Sequence, residues 1–156
     1  MAQNKTNVMR ILDSAKIEYS PLFYDADGFS DGLEIAQKLN LDPALVYKTL
    51  VTRSNRDFFV FVIPVLKELD LKKAAKAVGQ KAVEMIHVNE LLKITGYVRG
   101  GCSPIGMKKA FVTVIDNSAK ELSHIFVSGG KIGAQIKVSP TDLSAVVKAD
   151  FNDITR

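Results

Sequence analysis

VYKTLVTRSNRDFFVFVIP, residues 46–64, is two runs rich in β-branched and aromatic residues with a polar break between them. Val46 to Arg53 and Phe58 to Pro64 each predict a strand. Ser54-Asn55-Arg56-Asp57 is turn chemistry, so the two strands predict a hairpin. The second run is apolar on both sides, which places it in the middle of a covered sheet.

Working outward towards the N-terminus, Ser30 or Asp31 caps a predicted helix with Leu33, Ile35, Ala36 and Leu39 on its apolar side, ended by Asp42-Pro43. Asp25-Ala26-Asp27-Gly28 is a turn, and Glu18 to Tyr24, broken by Pro21, reads as an edge strand. Thr6 to Lys16 predicts a helix with Val8, Ile11, Leu12 and Ala15 on one face, capped by Thr6 or Asn4.

Towards the C-terminus, Asp70 to Val78 is a helix capped by Asp70 and stopped by Gly79. Val83 to Ile86 is a short strand, and Asn89 to Thr95 a short helix with Gly96 in the stop position. Phe111 to Ile115 and His124 to Val127 are strands, and Ile132 to Val138 pairs with the latter across Gly129-Gly130. Ser139 caps a last helix, with Pro140 first and Asp142 near the positive end of its dipole; Leu143, Val146 and Val147 face inward. Strands and helices are interspersed, and several strands run in hairpins. The expected fold class is therefore α/β with a mixed, partly antiparallel sheet and helices around it, not a doubly wound parallel sheet. Without repeats or an evident linker, residues 1–156 are expected to form one domain.

Hydrophobic residues make up 47% of the chain, enough for a core without a metal or disulfide staple. Cys102 is the single cysteine, so no internal disulfide can form, which fits a reducing compartment. The first twenty residues lack a signal-peptide stretch, and Phe58 to Leu66 is far too short to span a bilayer, so a soluble cytoplasmic protein without membrane contact is expected. The net charge of +4 suits either a polyanionic partner such as RNA or a solvated basic surface.

Three places invite chemistry. On VYKTLV the Lys48 side chain points the same way as Val46 and Leu50, so it either reaches a cleft or snorkels into water from an edge. Thr49 faces the other side unless a bulge intervenes. Thr95 to Gly106, TGYVRGGCSPIG, holds four glycines in twelve positions. It is either a loop whose N–H groups converge on an oxyanion or phosphate, or an ordinary long turn. It lacks the spacing of a Walker motif and the context of a dinucleotide motif. Ser128-Gly129-Gly130 either lets a ligand approach the backbone or makes a tight hairpin turn.

Cys102 as a nucleophile needs a base, and neither His87 nor His124, the only histidines, sits in a motif that ties it to Cys102. Two histidines and one cysteine argue against a zinc site. Neither GxSxG nor HExxH occurs.

Taken in order, Tyr24, Phe29-Ser30-Asp31, LNLDP, Tyr47-Lys48-Thr49-Leu50, LDLKKAAKAVGQKAVEM, TGYVRGGCSPIG with Lys108-Lys109, VSGGKIG and SPTDL closely resemble the YbaK/EbsC family of Cys-tRNA(Pro)/Cys-tRNA(Cys) deacylases. The likeness runs from about Thr6 to Ile154. That family is related to the editing domain inserted in many bacterial prolyl-tRNA synthetases. Ser30 stands where some relatives have glycine, and Cys102 where others have aliphatic residues. The resemblance implies a sheet curled into a partly open barrel. It also implies hydrolysis of a mischarged aminoacyl ester, with tRNA(Pro) and prolyl-tRNA synthetase as partners and no cofactor or metal.

By the same resemblance Lys48 is the essential residue, and Tyr24, Phe29, Thr49, Gly101, Ser103 and Ser128 surround the substrate, with Gly129 beside them. The implied mechanism is substrate-assisted: the thiolate of the cysteinyl group attacks its own carbonyl and expels the tRNA as a thiolactone. A thiol near its ordinary pKa of ~8.5 is partly ionised in the cell, whereas a serine hydroxyl is not. In this scheme Lys48 holds the tRNA end and favours the thiolate, the N–H groups of Gly100 and Gly101 receive the oxyanion, and Ser103 and Ser128 position the aminoacyl group. Lys72, Lys73, Lys76, Lys108 and Lys109 are candidates for the tRNA surface or are solvated faces. Two alternatives stand beside this reading. One is a deacylase for alanine or serine that positions a water; the other is a non-catalytic module that binds tRNA or a synthetase.

Overall fold

The computed structural model describes residues 5–26 and 31–156. The hairpin forms as expected: β2 (Tyr47–Ser54) and β3 (Asp57–Pro64) pair antiparallel from Tyr47 opposite Pro64 to Ser54 opposite Asp57. Asn55 takes the left-handed conformation that a two-residue hairpin turn demands. β3 lies inside a five-stranded sheet of order β4-β2-β3-β5-β8, where β4 is Glu84–Met85, β5 is Val112–Asp116 and β8 is Asp150–Asn152. β3 pairs parallel with β5, and β5 parallel with β8. A second sheet has the order β1-β7-β6, all antiparallel, from β1 (Tyr19–Phe23), β6 (Ile125–Ser128) and β7 (Ala134–Val138). A parallel bridge between Val46 and Phe126 joins the two sheets. The result is the expected partly open barrel of mixed strands.

The apolar character of β3 on both sides has a direct cause. Phe59, Phe61 and Ile63 pack with Ala74 and Ala75 of α3 (Leu71–Ala77). Val62, on the opposite face, joins a core with Val8, Met9 and Leu12 of α1 (Asn7–Ser14), Ile136 of β7 and Leu143 of α5 (Pro140–Val147). Helix starts follow local chemistry: the side chains of Thr6, Asp31, Asp70 and Ser139 each accept a first-turn N–H. Gly79 and Gly96 supply the left-handed stops after α3 and α4 (Leu91–Thr95).

Three details differ from expectation. β8 carries no local strand signal and forms only because β5 offers it an open edge. The short helix at 89–95 begins as a 3-10 turn, Val88–Glu90, ahead of α4. Leu33 of α2 (Gly32–Lys38) is 42% exposed, while Ile35 and Ala36 are buried. Ser30, Asn4 and half of the Asp25–Gly28 turn lie outside the described residues. Among the described residues no helix is long and apolar enough to cross a membrane.

Candidate functional site

β2 sits against the seam between the two sheets, and its alternation decides what faces the seam. Val46 enters a small cluster with Ala36 of α2 and Phe126 of β6. Lys48, two residues on, emerges beside that cluster and is half-buried. It lines a pocket of about 510 Å³ together with Thr49, Gly100, Cys102, Ser128 and Gln135. The pocket thus draws side chains from both sheets and main chain from the glycine-rich segment. Arg99 and Asp31 also line it, so among the described residues the charged groups around it are two cations and one carboxylate. That balance suits an anionic ligand.

The glycine-rich segment is a folded loop with its own internal bonds. The Tyr97 hydroxyl donates to the Ile105 carbonyl, and the Tyr97 N–H donates to Thr95 Oγ1 at 3.0 Å. Burial pushes the Tyr97 phenol up to about 12, so it remains a donor at any physiological pH. Lys108 N–H closes the segment onto the Thr95 carbonyl at 3.0 Å. Gly100, at φ +87°, brings main chain to the pocket wall in a conformation that favours glycine.

Two residues expected to do chemistry hold the loop instead. The Gly101 N–H donates to the Val98 carbonyl at 3.0 Å, so it is committed and does not face an oxyanion. Gly101 is buried, and a Cβ there would sit 2.9 Å from the Ile132 nitrogen. The residue is glycine because two stretches of backbone touch. Ser103 is fully buried, and its Oγ accepts the Ile105 N–H at 3.2 Å, which makes it a turn residue outside the pocket lining. The Gly100 and Cys102 N–H groups have no protein acceptor among the described residues, and both residues line the pocket. Of the expected Gly100–Gly101 pair, then, only the Gly100 N–H is without a protein acceptor among the described residues.

Ser128 is in place. It lines the pocket, and its Oγ accepts the Gly130 N–H at 3.1 Å, which leaves its O–H proton to donate. Gly129 donates its N–H to the Ala134 carbonyl at 2.8 Å and closes the β6–β7 hairpin, so it belongs to the turn. Tyr24 is tied to that hairpin by its N–H to the Gly133 carbonyl at 2.9 Å, and its buried hydroxyl has no partner among the described residues. Tyr24 does not line the pocket, and Phe29 lies outside the described residues.

Burial pushes the Cys102 thiol up to about 12, with a hydrogen bond to Thr95 working weakly against it. It holds its proton at neutral pH. Neither histidine lines the pocket. His87 joins Glu90 in a capping box, and His124 contacts Ser123 and stacks edge-on against Phe126. Among the described residues no cluster of three or more His, Cys, Asp or Glu side chains could hold a metal ion.

The lysines divide. Lys73 donates to Asp153 at 3.0 Å and to the Thr155 carbonyl at 2.9 Å, which binds α3 to the chain's end. Lys72 and Lys76 are exposed on the same helix. Lys108 and Lys109 line a second groove with Lys93, Arg56 and the edge-on pair Phe58–Phe111. Sequence reasoning missed Arg99, Asp31 and Gln135. The hairpin reading contains the signal for Gln135, because the β6–β7 register sets it directly opposite Ser128.

Residues 30–146 match the aminoacyl-tRNA editing domain family. A proposed Cys-tRNA(Pro)/Cys-tRNA(Cys) deacylase of Enterococcus faecalis, EbsC, is 43% identical over 155 residues, spanning 98% of this chain and 94% of that protein. A proline–tRNA ligase of Caldicellulosiruptor saccharolyticus is 25% identical over 124 residues, covering 79% of this chain and 21% of the ligase. The crystal structure of a proposed trans-editing enzyme for prolyl tRNA synthetase has the same fold, with a TM-score of 0.82 at 21% identity over 98% of this chain and 99% of that one.

Proposed function

The chain belongs to the aminoacyl-tRNA editing domain family, and on that premise we propose that it is a trans-acting deacylase of Cys-tRNA(Pro) in the cytoplasm. The observation that carries the reading is the half-buried Lys48 ammonium at the wall of a pocket whose other walls are Gly100 main chain and the Ser128 hydroxyl. An aminoacyl ester is already activated, so the site has only to hold it and stabilise the charge that develops.

Among the described residues the pocket lining holds no activated nucleophile: Cys102 keeps its proton, and no histidine stands by to activate Ser128. The substrate's own thiol supplies one. Its sulfur forms the C–S bond to the carbonyl carbon, and the C–O bond to the ribose breaks. The thiol proton ends on the departing ribose oxygen, and the thiolactone hydrolyses afterwards. Lys48 favours the thiolate and the anionic tRNA end, Gly100 N–H receives the oxyanion, and Ser128 O–H orients the acyl group. The groove with Lys93, Lys108, Lys109 and Arg56 is the surface for the tRNA backbone. Kinship with a segment of proline–tRNA ligases supports the synthetase as the source of the mischarged tRNA(Pro).

The test is deacylation of Cys-, Ala- and Ser-tRNA(Pro), with and without prolyl-tRNA synthetase, by the wild type and Lys48→Ala. Cysteine should be removed fastest, and Lys48→Ala should lose about a hundredfold or more. An undiminished rate for Lys48→Ala refutes the assignment. Faster removal of alanine or serine replaces the thiol route with a positioned water.

A further inference from the structure

Two residues that line the pocket carry buried polar atoms without a partner among the described residues. Gln135 is 3% exposed, and its Oε1 has no hydrogen-bond partner among the described residues. The Thr49 Oγ1 is likewise buried and bare. Both residues line the pocket. Buried polar groups in folded proteins are paired almost without exception, so two unpaired in one cavity mark a place where a ligand completes the bonding.

Oε1 of a carboxamide only accepts, so the missing group must be an N–H or O–H donor. An aminoacyl ester carries three: the ribose hydroxyl, the cysteinyl thiol and the α-amino group. The ribose hydroxyl lies on the tRNA side of the ester, towards the solvent mouth of the pocket, whereas Gln135 is among the least exposed residues of the lining. The thiol is a weak donor and must give up its proton to react. The α-amino group remains. Gln135 also faces Ser128 across the β6–β7 ladder, so an acceptor for the amine stands next to a donor for the acyl oxygen.

We propose that Gln135, assisted by Thr49, seats the α-amino group of the substrate and so makes the site selective for free aminoacyl esters over N-acylated or des-amino acyl esters. The proposal rests on the reading of the pocket as an aminoacyl-ester site and adds a specificity residue to it.

The test is calorimetric binding of three adenosine 3′-amides that cannot be hydrolysed: cysteinyl, N-acetylcysteinyl and 3-mercaptopropanoyl. The wild type should bind the cysteinyl compound at least tenfold more tightly than the other two. Gln135→Leu, which keeps the bulk and removes the acceptor, should bind all three alike at the weaker level while melting no lower than the wild type. Gln135→Glu restores an acceptor and should restore the preference.

Equal binding of the three compounds by the wild type overturns the amino-group seat. So does an equal loss for all three in Gln135→Leu with a lowered melting temperature, which is the signature of a merely structural role. If the cysteinyl compound does not bind at all, or Lys48→Ala leaves its affinity unchanged, the aminoacyl-ester reading itself falls and takes the seat with it. Tight binding indifferent to the amine sinks only the seat.

Discussion

Replacement of Gly101 by alanine tests whether backbone contact shapes this site. A Cβ at residue 101 would lie 2.9 Å from the Ile132 nitrogen and 3.0 Å from the Cα and carbonyl carbon of Lys131. To reach ordinary contact the two segments must part by about 0.5 Å. Neither yields freely. The 129–133 turn is held by the Gly129 N–H on the Ala134 carbonyl, and the other side by the Gly101 N–H on Val98. Overpacking of this kind costs about 1–3 kcal/mol. For a domain of this size that lowers the melting temperature by roughly 2–12 °C.

Function should suffer with stability, because Gly100 and Ser128 are each within one residue of the parted segments. A displacement of half an ångström at a positioned group slows turnover by roughly tenfold. Gly79→Ala is the control. Its φ of +69° carries a left-handed strain of about 1–2 kcal/mol, but nothing lies within 4 Å of the new methyl. It should melt lower and deacylate normally. The assay pairs thermal melts with single-turnover deacylation of Cys-tRNA(Pro). A Gly101→Ala protein with wild-type melting and rate would refute the steric argument.

Other expectations follow from the same geometry. With its thiol pushed up to about 12, Cys102 presents about a thousandfold less thiolate at neutral pH than an ordinary cysteine. Iodoacetamide should leave it unmodified in the folded protein, and Cys102→Ala should retain most activity; a dead variant restores the enzyme thiol to the mechanism. The Asp70 carboxyl is held below its ordinary 3.8, first by the Lys73 N–H and then by the Lys72 N–H. A lowered folded value means stability that is complete above 3.8 and disappears as pH falls through the lower one. Melting temperatures of the wild type and Asp70→Asn should therefore differ near neutral pH and converge in strong acid, and a gap that persists there contradicts the assignment. Lys93→Ala with Lys109→Ala should weaken tRNA binding and reduce the salt slope by roughly one per lysine that meets a phosphate. Lys73→Ala should change the melting temperature and leave that slope alone.

What the sequence revealed divides along a physical line. The 46–64 hairpin, the caps at Thr6, Asp70 and Ser139, and the stops at Gly79 and Gly96 are properties of a few neighbouring residues, so they are legible. β8 is not, because Asp150-Phe151-Asn152 becomes a strand only on the exposed edge of β5. The parallel pairing of β3 with β5 is hidden for the same reason: its direction is set by the chain path between residues 64 and 112.

At the site, the strand pattern left Lys48 between a cleft and the solvent and Ser128 between a ligand contact and a tight turn; only the family resemblance assigned them to the substrate. Gly101 and Ser103 looked equivalent to Gly100 and Ser128, since residue type does not say whether an N–H or a hydroxyl is already in use. Gln135 went unread, because an amide flanked by Ala134 and Ile136 looks like any outward position until the hairpin register sets it opposite Ser128.

Lys48 and Thr49 come from one sheet, Ser128 and Gln135 from the other, and Val46 opposite Phe126 is the bridge between them. Any loosening that lets the halves slide apart scatters the four groups while each half keeps its hydrogen-bonded ladders. On heating, catalysis should fade before circular dichroism reports lost secondary structure. The enzyme's working rate is thus a gauge of how firmly two nearly self-contained pieces are clasped.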